Sequence, residues 1–382
     1  MREGTSMARP YCLRPLTGAL LGSVLSLFIL SSGAVADPPA AAYSFTTLDV
    51  PGATSTHPTS INDSGQVTGG YAVRSGGCKI CDPDQGFVYS KGTFTTIDPP
   101  GATYTEAQGI NASGQVAGYF ADSSGGHGFI YSYSNGVFTT IDTPGAIATN
   151  ATSINDSGQV VGRYADSSGG HGFIYSNGVF TTLDAPGATS TYPTSINASG
   201  QVAGYFSSLG VHGFVYSNGT FTTLDAPGAQ ITYAISINAS GQVAGYGLDA
   251  DGGGHGFVYS NGTFTTLDVP GARGTHPASI NASGQVVGDF INADGGHSFV
   301  YSNGTFTTLD VPGATSTYAR SINDSGQVAG GYYDGSRIYG FIATPMVTDI
   351  PTLSQWALLL GGGLLVGMAL LAQVRRSRLL RG

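Results

Sequence analysis

Short runs rich in β-branched and aromatic residues, each bounded by turn residues, follow one another along this chain, and such runs read as strands. One stretch shows the whole set: Ser195-Ile-Asn, then Gln201 to Phe206, His212 to Ser217 and Thr220 to Asp225. The first two runs are joined by Asn197-Ala-Ser-Gly200, a tight turn whose Asn and Gly accept left-handed backbone. The last two meet through Asn218-Gly219, a strong hairpin signal. Both joins place strands side by side in one sheet.

The same text recurs seven times. The Phe of Phe-Thr-Thr falls at 45, 94, 138, 180, 221, 264 and 306. From each of these Phe residues to the Gln of the following Ser-Gly-Gln the distance is 21 residues, a crossover of fixed length containing Pro-Gly. Four-stranded units of ~40–45 residues predict a β-propeller. A β-helix would use shorter coils, and a solenoid of sheets would need terminal caps that this text lacks. The chain begins on fourth-strand text, Phe45-Thr-Thr-Leu-Asp49, and ends on third-strand text, Tyr339-Gly-Phe-Ile342. The expectation is therefore an all-β, seven-bladed β-propeller of four-stranded blades over residues 43–344, its ring closed by the N-terminal strand, which removes an exposed sheet edge.

Composition adds the surroundings. Gly is abundant at 60 residues and only 10% of residues are charged, yet Tyr, Phe, Val and Ile recur regularly enough to argue for packing rather than disorder. Between Asp37 and Asp349 the chain holds 22 acidic and 7 basic residues, a net of −15. Such a body repels nucleic acid and anionic lipid.

The two ends differ from the body. Residues 1–36 read as a signal peptide: Arg9 and Arg14 precede the apolar run Leu20 to Leu30, and Ala34-Val-Ala36 offers small residues for cleavage. An uncleaved anchor helix is the alternative, disfavoured by the shortness of the run. Residues 345–356 form a linker containing Ile350-Pro351-Thr352-Leu353. Residues 357–374 read as a transmembrane helix, spanning ~27 Å, and residues 375–382 as a basic cytoplasmic tail with four Arg. That order of motif, Trp356, apolar helix and basic tail resembles the IPTL-CTERM sorting signal of Gram-negative bacteria, although Gln355 stands where such signals often carry Glu. The resemblance implies an exosortase-type processing protease as partner, and membrane attachment through the C-terminal helix until it is cut. A plain anchor is the alternative.

The repeat itself resembles the HAF family of probable extracellular repeats. The matching positions read His-Gly-Phe from 127, 171, 212 and 255 and His-Ser-Phe from 297, whereas the first and last units depart with Gln85-Gly-Phe and Tyr339-Gly-Phe. That resemblance implies export and a surface role, and brings no established chemistry.

Most residues with chemical potential repeat with the fold. The five His begin third strands on different blades, too far apart for shared zinc ligation at ~2.0–2.1 Å, so a tie to a neighbouring turn is expected. The seven Asp before the Pro-Gly crossovers (49, 98, 142, 184, 225, 268, 310) and the seven Asn before the Ser-Gly turns are read as turn caps. Cys78 and Cys81 suit a local disulfide in an oxidising compartment better than a metal or redox site. Asp249-Ala-Asp251-Gly resembles the opening of a calcium loop without its distal Glu, so calcium in Asp/Gly loops is the only cofactor left open, and weakly. No Ser-His-Asp order, nucleotide-binding Gly loop or HExxH motif is present. The mature body holds a single Glu, Glu106, which argues against an enzyme.

One position breaks the symmetry. Six residues past the Pro of each crossover stand His57, Glu106, Asn150, Tyr192, Tyr233, His276 and Tyr318, placed by the sequence just before the first strand and near the axis. With Arg320 as a further donor, this ring suits sugar stacking and hydrogen bonding; filler of the crossover surface is the competing account. Spacing from Gln to the Gly-Phe aromatic varies between 13 and 21 residues, which concentrates variation on the crossover face. The sequence thus points to an exported, non-catalytic binding or matrix protein at the cell surface, with extracellular polysaccharide as candidate partner. A carbohydrate-active lyase or hydrolase, and a self-assembling surface protein, are the alternatives.

Overall fold

The computed structural model describes residues 43–73 and 84–346. The signal segment with Ala34 and Ala36, the pair Cys78 and Cys81, the motif Ile350–Leu353 and the apolar stretch 357–374 lie outside the described residues. Within them the structure is all β, with twenty-eight strands and no helix, so none long and apolar enough to cross a membrane.

The fourth repeat is representative. Strands β14 (Ser190–Ile196), β15 (Val202–Ser207), β16 (Val211–Ser217) and β17 (Thr220–Leu224) form an antiparallel meander, with Phe206 opposite His212 and Tyr216 opposite Phe221. The first strand is longer than its three-residue text suggested. It begins at Ser190 and carries a bulge between Pro193 and Ser195. Each of the other six repeats has a bulge at the equivalent place.

A glycine column makes that bulge fit. A Cβ on Gly204 would lie 2.3 Å from the Tyr192 carbonyl oxygen and 2.8 Å from the Phe214 ring. The equivalent Gly69, Gly118, Gly162, Gly245, Gly288 and Gly330 meet the carbonyl of their own first strand at 2.1–2.2 Å. Only a residue without a side chain lets the backbones approach so closely.

Crossovers are held by a buried hydroxyl. Thr191 Oγ1 accepts a bond from Ala185 N at 3.0 Å, and Thr56, Thr149, Thr232, Thr275 and Thr317 do the same for Val50, Thr143, Ala226, Val269 and Val311. In the second repeat the matching donor position is Pro99, which has no N–H, and Thr105 Oγ1 is left buried without a partner.

Third-strand Phe and fourth-strand Leu or Ile fill the space between repeats. Phe214 is fully buried, packs edge-on against Phe221 at 5.2 Å, and shares a cluster with Leu183 of the preceding repeat. One cluster joins Leu48, Val67 and Phe87 with Ala329 and Ile342 from the far end of the chain. There β1 (Tyr43–Leu48) lies antiparallel along β28 (Ile338–Pro345), with Tyr43 opposite Pro345 and Leu48 opposite Gly340.

The turn Asn caps its own turn and also reaches its neighbour. Asn197 Oδ1 accepts from the N–H of Ser199 and Gln201, while its Nδ2 donates to Asn238 O at 3.0 Å. Equivalent bonds run from Asn62 through Asn111, Asn155, Asn238 and Asn281, and Asn323 donates to Asn62 O at 3.0 Å. A cavity of about 250 Å³ is lined by the same three positions of every repeat, from Ile61-Asn62-Asp63 to Ile322-Asn323-Asp324.

Candidate ligand-binding face

The non-repeating residues sit at the end of the first strand away from that cavity. Crossovers and the loops between second and third strands share this end, as the bond from Thr189 N to Ser207 O shows. The seven are not ahead of the strand, as the sequence placed them. Each is its third residue, two positions before the bulged one, because pairing with the second strand extends back to the crossover.

Each faces a residue of the second strand that also changes from repeat to repeat. Glu106 is opposite Tyr119, Asn150 opposite Arg163, Tyr192 opposite Tyr205, Tyr233 opposite Tyr246 and His276 opposite Asp289. At the chain ends the partners are glycines: His57 faces Gly70 and Tyr318 faces Gly331. The sequence reading missed this second column. Its signal was the same, a changing residue four places after each invariant Gln.

The two columns interlock into an arc. The Arg163 guanidinium lies over Tyr192 at 5.6 Å, Tyr192 stacks on Tyr205 at 4.9 Å, and Tyr205 meets Tyr233 of the next repeat edge-on at 4.9 Å. Tyr233 contacts Tyr246 at 5.1 Å, which meets His276 at 4.9 Å. Asp289 ends the run, 3.7 Å from His276 Nδ1 and 3.8 Å from Arg320 Nη1. Burial pushes the Tyr205 and Tyr246 hydroxyls above the ordinary phenol range.

Pockets open where the arc is interrupted. One of about 500 Å³ holds three of the predicted residues, His57, Tyr318 and Arg320, with Pro58, Tyr333 and Ile338. Another of about 310 Å³ holds Asn150 and Tyr192 with Arg163, Tyr119 and Tyr164; Asn150 Oδ1 is buried there without a hydrogen-bond partner. Tyr233 and His276 are absorbed in the arc. Glu106 accepts a 2.5 Å bond from the Tyr104 hydroxyl.

No protein-family model and no curated protein matches the sequence. Solved structures match in shape. The streptogramin B lyase structure shares 13% identity over 79% of this chain and 98% of its own, with a TM-score of 0.53. The structure of YCF48 bound to D1 peptide shares 11% over 81% and 97%, with a TM-score of 0.52. Acylaminoacyl peptidase from Pyrococcus horikoshii matches 79% of this chain but 54% of its own, at 10% identity and a TM-score of 0.50. The fold is of the β-propeller type. At such identities the likeness shows the fold alone.

Within the propeller the repeated His and Asp hold each other. His127, His171, His212, His255 and His297 each place Nδ1 2.7–2.9 Å from the crossover Asp of their own repeat. The crossover Asp residues, read from the sequence as turn caps, here accept bonds from the third strand or from Arg337. Where His is missing another donor serves: Gln85 Nε2 reaches Asp98 at 3.0 Å, and Arg337 Nη2 reaches Asp49 at 2.6 Å. The bonds to Asp142, Asp184 and Asp268 raise the pKa of His127, His171 and His255 against a smaller opposing effect of burial.

In two repeats a serine completes a row that the linear sequence concealed. Ser124 Oγ is 2.9 Å from His127 Nε2, whose other nitrogen faces Asp142; Ser168, His171 and Asp184 repeat the arrangement. Each hydroxyl also lies 2.6 Å from Asp122 Oδ1 or Asp166 Oδ1, to which it donates. Those bonds hold Asp122 low and Asp166 down to about 2. A hydroxyl whose proton is held by a carboxylate, beside a His biased towards its cation, is a loop pin and a poor nucleophile. The Asp249 carboxylate likewise caps its own loop, accepting from Asp251 N and Gly253 N. Among the described residues no group of three or more His, Cys, Asp or Glu side chains is placed to hold a metal.

Proposed function

We propose that the chain is a seven-bladed propeller, closed by β1 as outer strand of the last blade, that binds extracellular polysaccharide at the cell surface without catalysing a reaction. The observation that carries this reading is the double column of changing residues at the crossover end. The Gly, Asn, Thr and His–Asp devices hold the repeat's framework, so variation at two facing positions marks a surface that the fold does not dictate. Aromatic, imidazole and guanidinium groups around concave pockets suit sugars. The signal-like N-terminus and IPTL-type tail support export, membrane attachment and removal of the tail near Ile350. Mass spectrometry of protein released by the native host tests that route, and an intact Gly382 on the product would make the tail a plain anchor. The binding reading is tested on a polysaccharide panel, where retention without appearance of reducing ends or unsaturated products is expected.

A hydrolytic reading is favoured only by the two Ser–His–Asp rows. A fluorophosphonate probe settles it: labelling of the parent that disappears in Ser124→Ala and Ser168→Ala would overturn the non-catalytic reading.

A further inference from the structure

We propose that the pocket between the seventh and first repeats is the ligand subsite, and that it takes a neutral glycan with one pyranose ring laid against Tyr318. This rests on the polysaccharide-binding reading and gives it a place and a ligand class.

Symmetry is broken twice at this seam. Opposite Tyr318 the second-strand residue is Gly331, where Tyr119, Tyr205 and Tyr246 fill the equivalent space in other repeats. Tyr192 and Tyr233 each pack against another ring, whereas among the described residues no ring–ring pair includes Tyr318. Only the Arg320 guanidinium lies over it, at 5.8 Å. The second break is at the bulge. There Thr59, Thr152 and Thr194 donate to a carbonyl of the next repeat, at Ala107, Pro193 and Ala234. The other four bulges carry Gln108, Ile235, Ala278 and, in the seventh repeat, Arg320, the one charged residue at this position, half exposed and lining the pocket.

The result is a space of about 500 Å³ with apolar walls from Pro58, Tyr318, Tyr333 and Ile338 and polar groups from Ser316 and Arg320. A pyranose offers the complement, a flat C–H face for the aromatic wall and a rim of hydroxyls for the donors. Charge selects the neutral class. The body carries 22 acidic against 7 basic residues, and the Arg320 guanidinium already faces the Asp289 carboxylate at 3.8 Å. A polyanion would find no unopposed cation here.

Affinities of the full-length chain for neutral gluco- and manno-configured hexasaccharides, with hexagalacturonate as acidic counterpart, test this by calorimetry. Gly331→Tyr would fill the pocket as the other repeats fill theirs. Gly331→Ala is the control, since its Cβ meets only Ile338 and the Tyr339 carbonyl at 3.5 Å. The expected result is a neutral ligand that Gly331→Ala keeps and Gly331→Tyr weakens by roughly tenfold or more, with Tm unchanged in both. A neutral ligand indifferent to Gly331→Tyr but lost in Tyr192→Ala would overturn the seam pocket and leave the glycan-binding reading standing. Preference for hexagalacturonate would overturn the neutral class. Failure to bind any sugar would overturn the inference together with the reading beneath it.

Discussion

Two threonines at equivalent positions are expected to respond in opposite directions to the same substitution. Thr191→Val removes the acceptor of the Ala185 N–H, and both residues are buried, at 1% and 3% exposure. A buried donor left unpaired costs about 1–3 kcal/mol. For a domain of this size that corresponds to a fall in Tm of roughly 2–5 °C. Thr105→Val, at 0% exposure, removes a hydroxyl that has no partner because Pro99 offers no N–H. Replacing it by a methyl relieves an unmet desolvation cost, so stability is expected to hold or rise by up to about 1 kcal/mol. Thermal and urea unfolding of the parent and both variants measure the difference, with equal m-values as the check that only stability moved. Equal destabilisation by the two substitutions would refute the account of how crossovers are held.

Three further outcomes follow from other devices. Gly204→Ala is expected to destabilise by about 1–3 kcal/mol as its Cβ is driven against the Tyr192 carbonyl, while Gly331→Ala stays near neutral; similar unfolding curves for the two would remove the case for the glycine column. The raised pKa values of His127, His171 and His255 give stability that is full below the unfolded value of about 6.5 and lost as pH rises through the folded values, whereas Asp166 and Asp334, both near 2, give stability present above about 4 and lost below it. Tm should thus peak between about pH 4 and 6.5, and replacing the three His by Gln, the donor used at Asp98, should flatten its alkaline side. Deleting residues 43–48 should strip β28 of one of its two strand partners, lowering Tm and promoting aggregation; an unchanged Tm would mean that β1 contributes nothing.

The strand text, hairpins and period were legible because they are local: Asn-Gly turns and β-branched runs act over a few residues. The first strand was read short because Pro193 and the bulge at Thr194 interrupt the run, and Pro ordinarily demotes a strand. Its true start is set by partners on β15, distant in sequence. The turn role of Asn197 was readable from Asn-x-Ser-Gly, but its bond to Asn238 O needed the neighbouring repeat in place. The same holds for the candidate face. Tyr192 and Tyr233 stood out as breaks in a constant text, while Tyr205, Arg163 and Asp289, equally irregular, drew no notice until the second strand lay beside the first. Arg320 looked like an added donor; its position at the bulge, where three other repeats place a bridging Thr, appears only in three dimensions.

The pairing of β1 with β28 imposes an order on assembly. The first described strand cannot find its partner until nearly the whole chain has been made, since Tyr43 sits opposite Pro345. Each interior meander can form from its own text as it emerges, but this one contact spans about three hundred residues and carries the loop-closure entropy of that separation. In a chain that emerges N-terminus first, residues 43–48 wait as an unpaired segment, and the last repeat to appear both completes its own sheet and recruits the first strand. The slowest step should therefore be a single late docking event, and the Phe-Thr-Thr text repeated in every unit supplies six rival strands that could occupy the same edge before it.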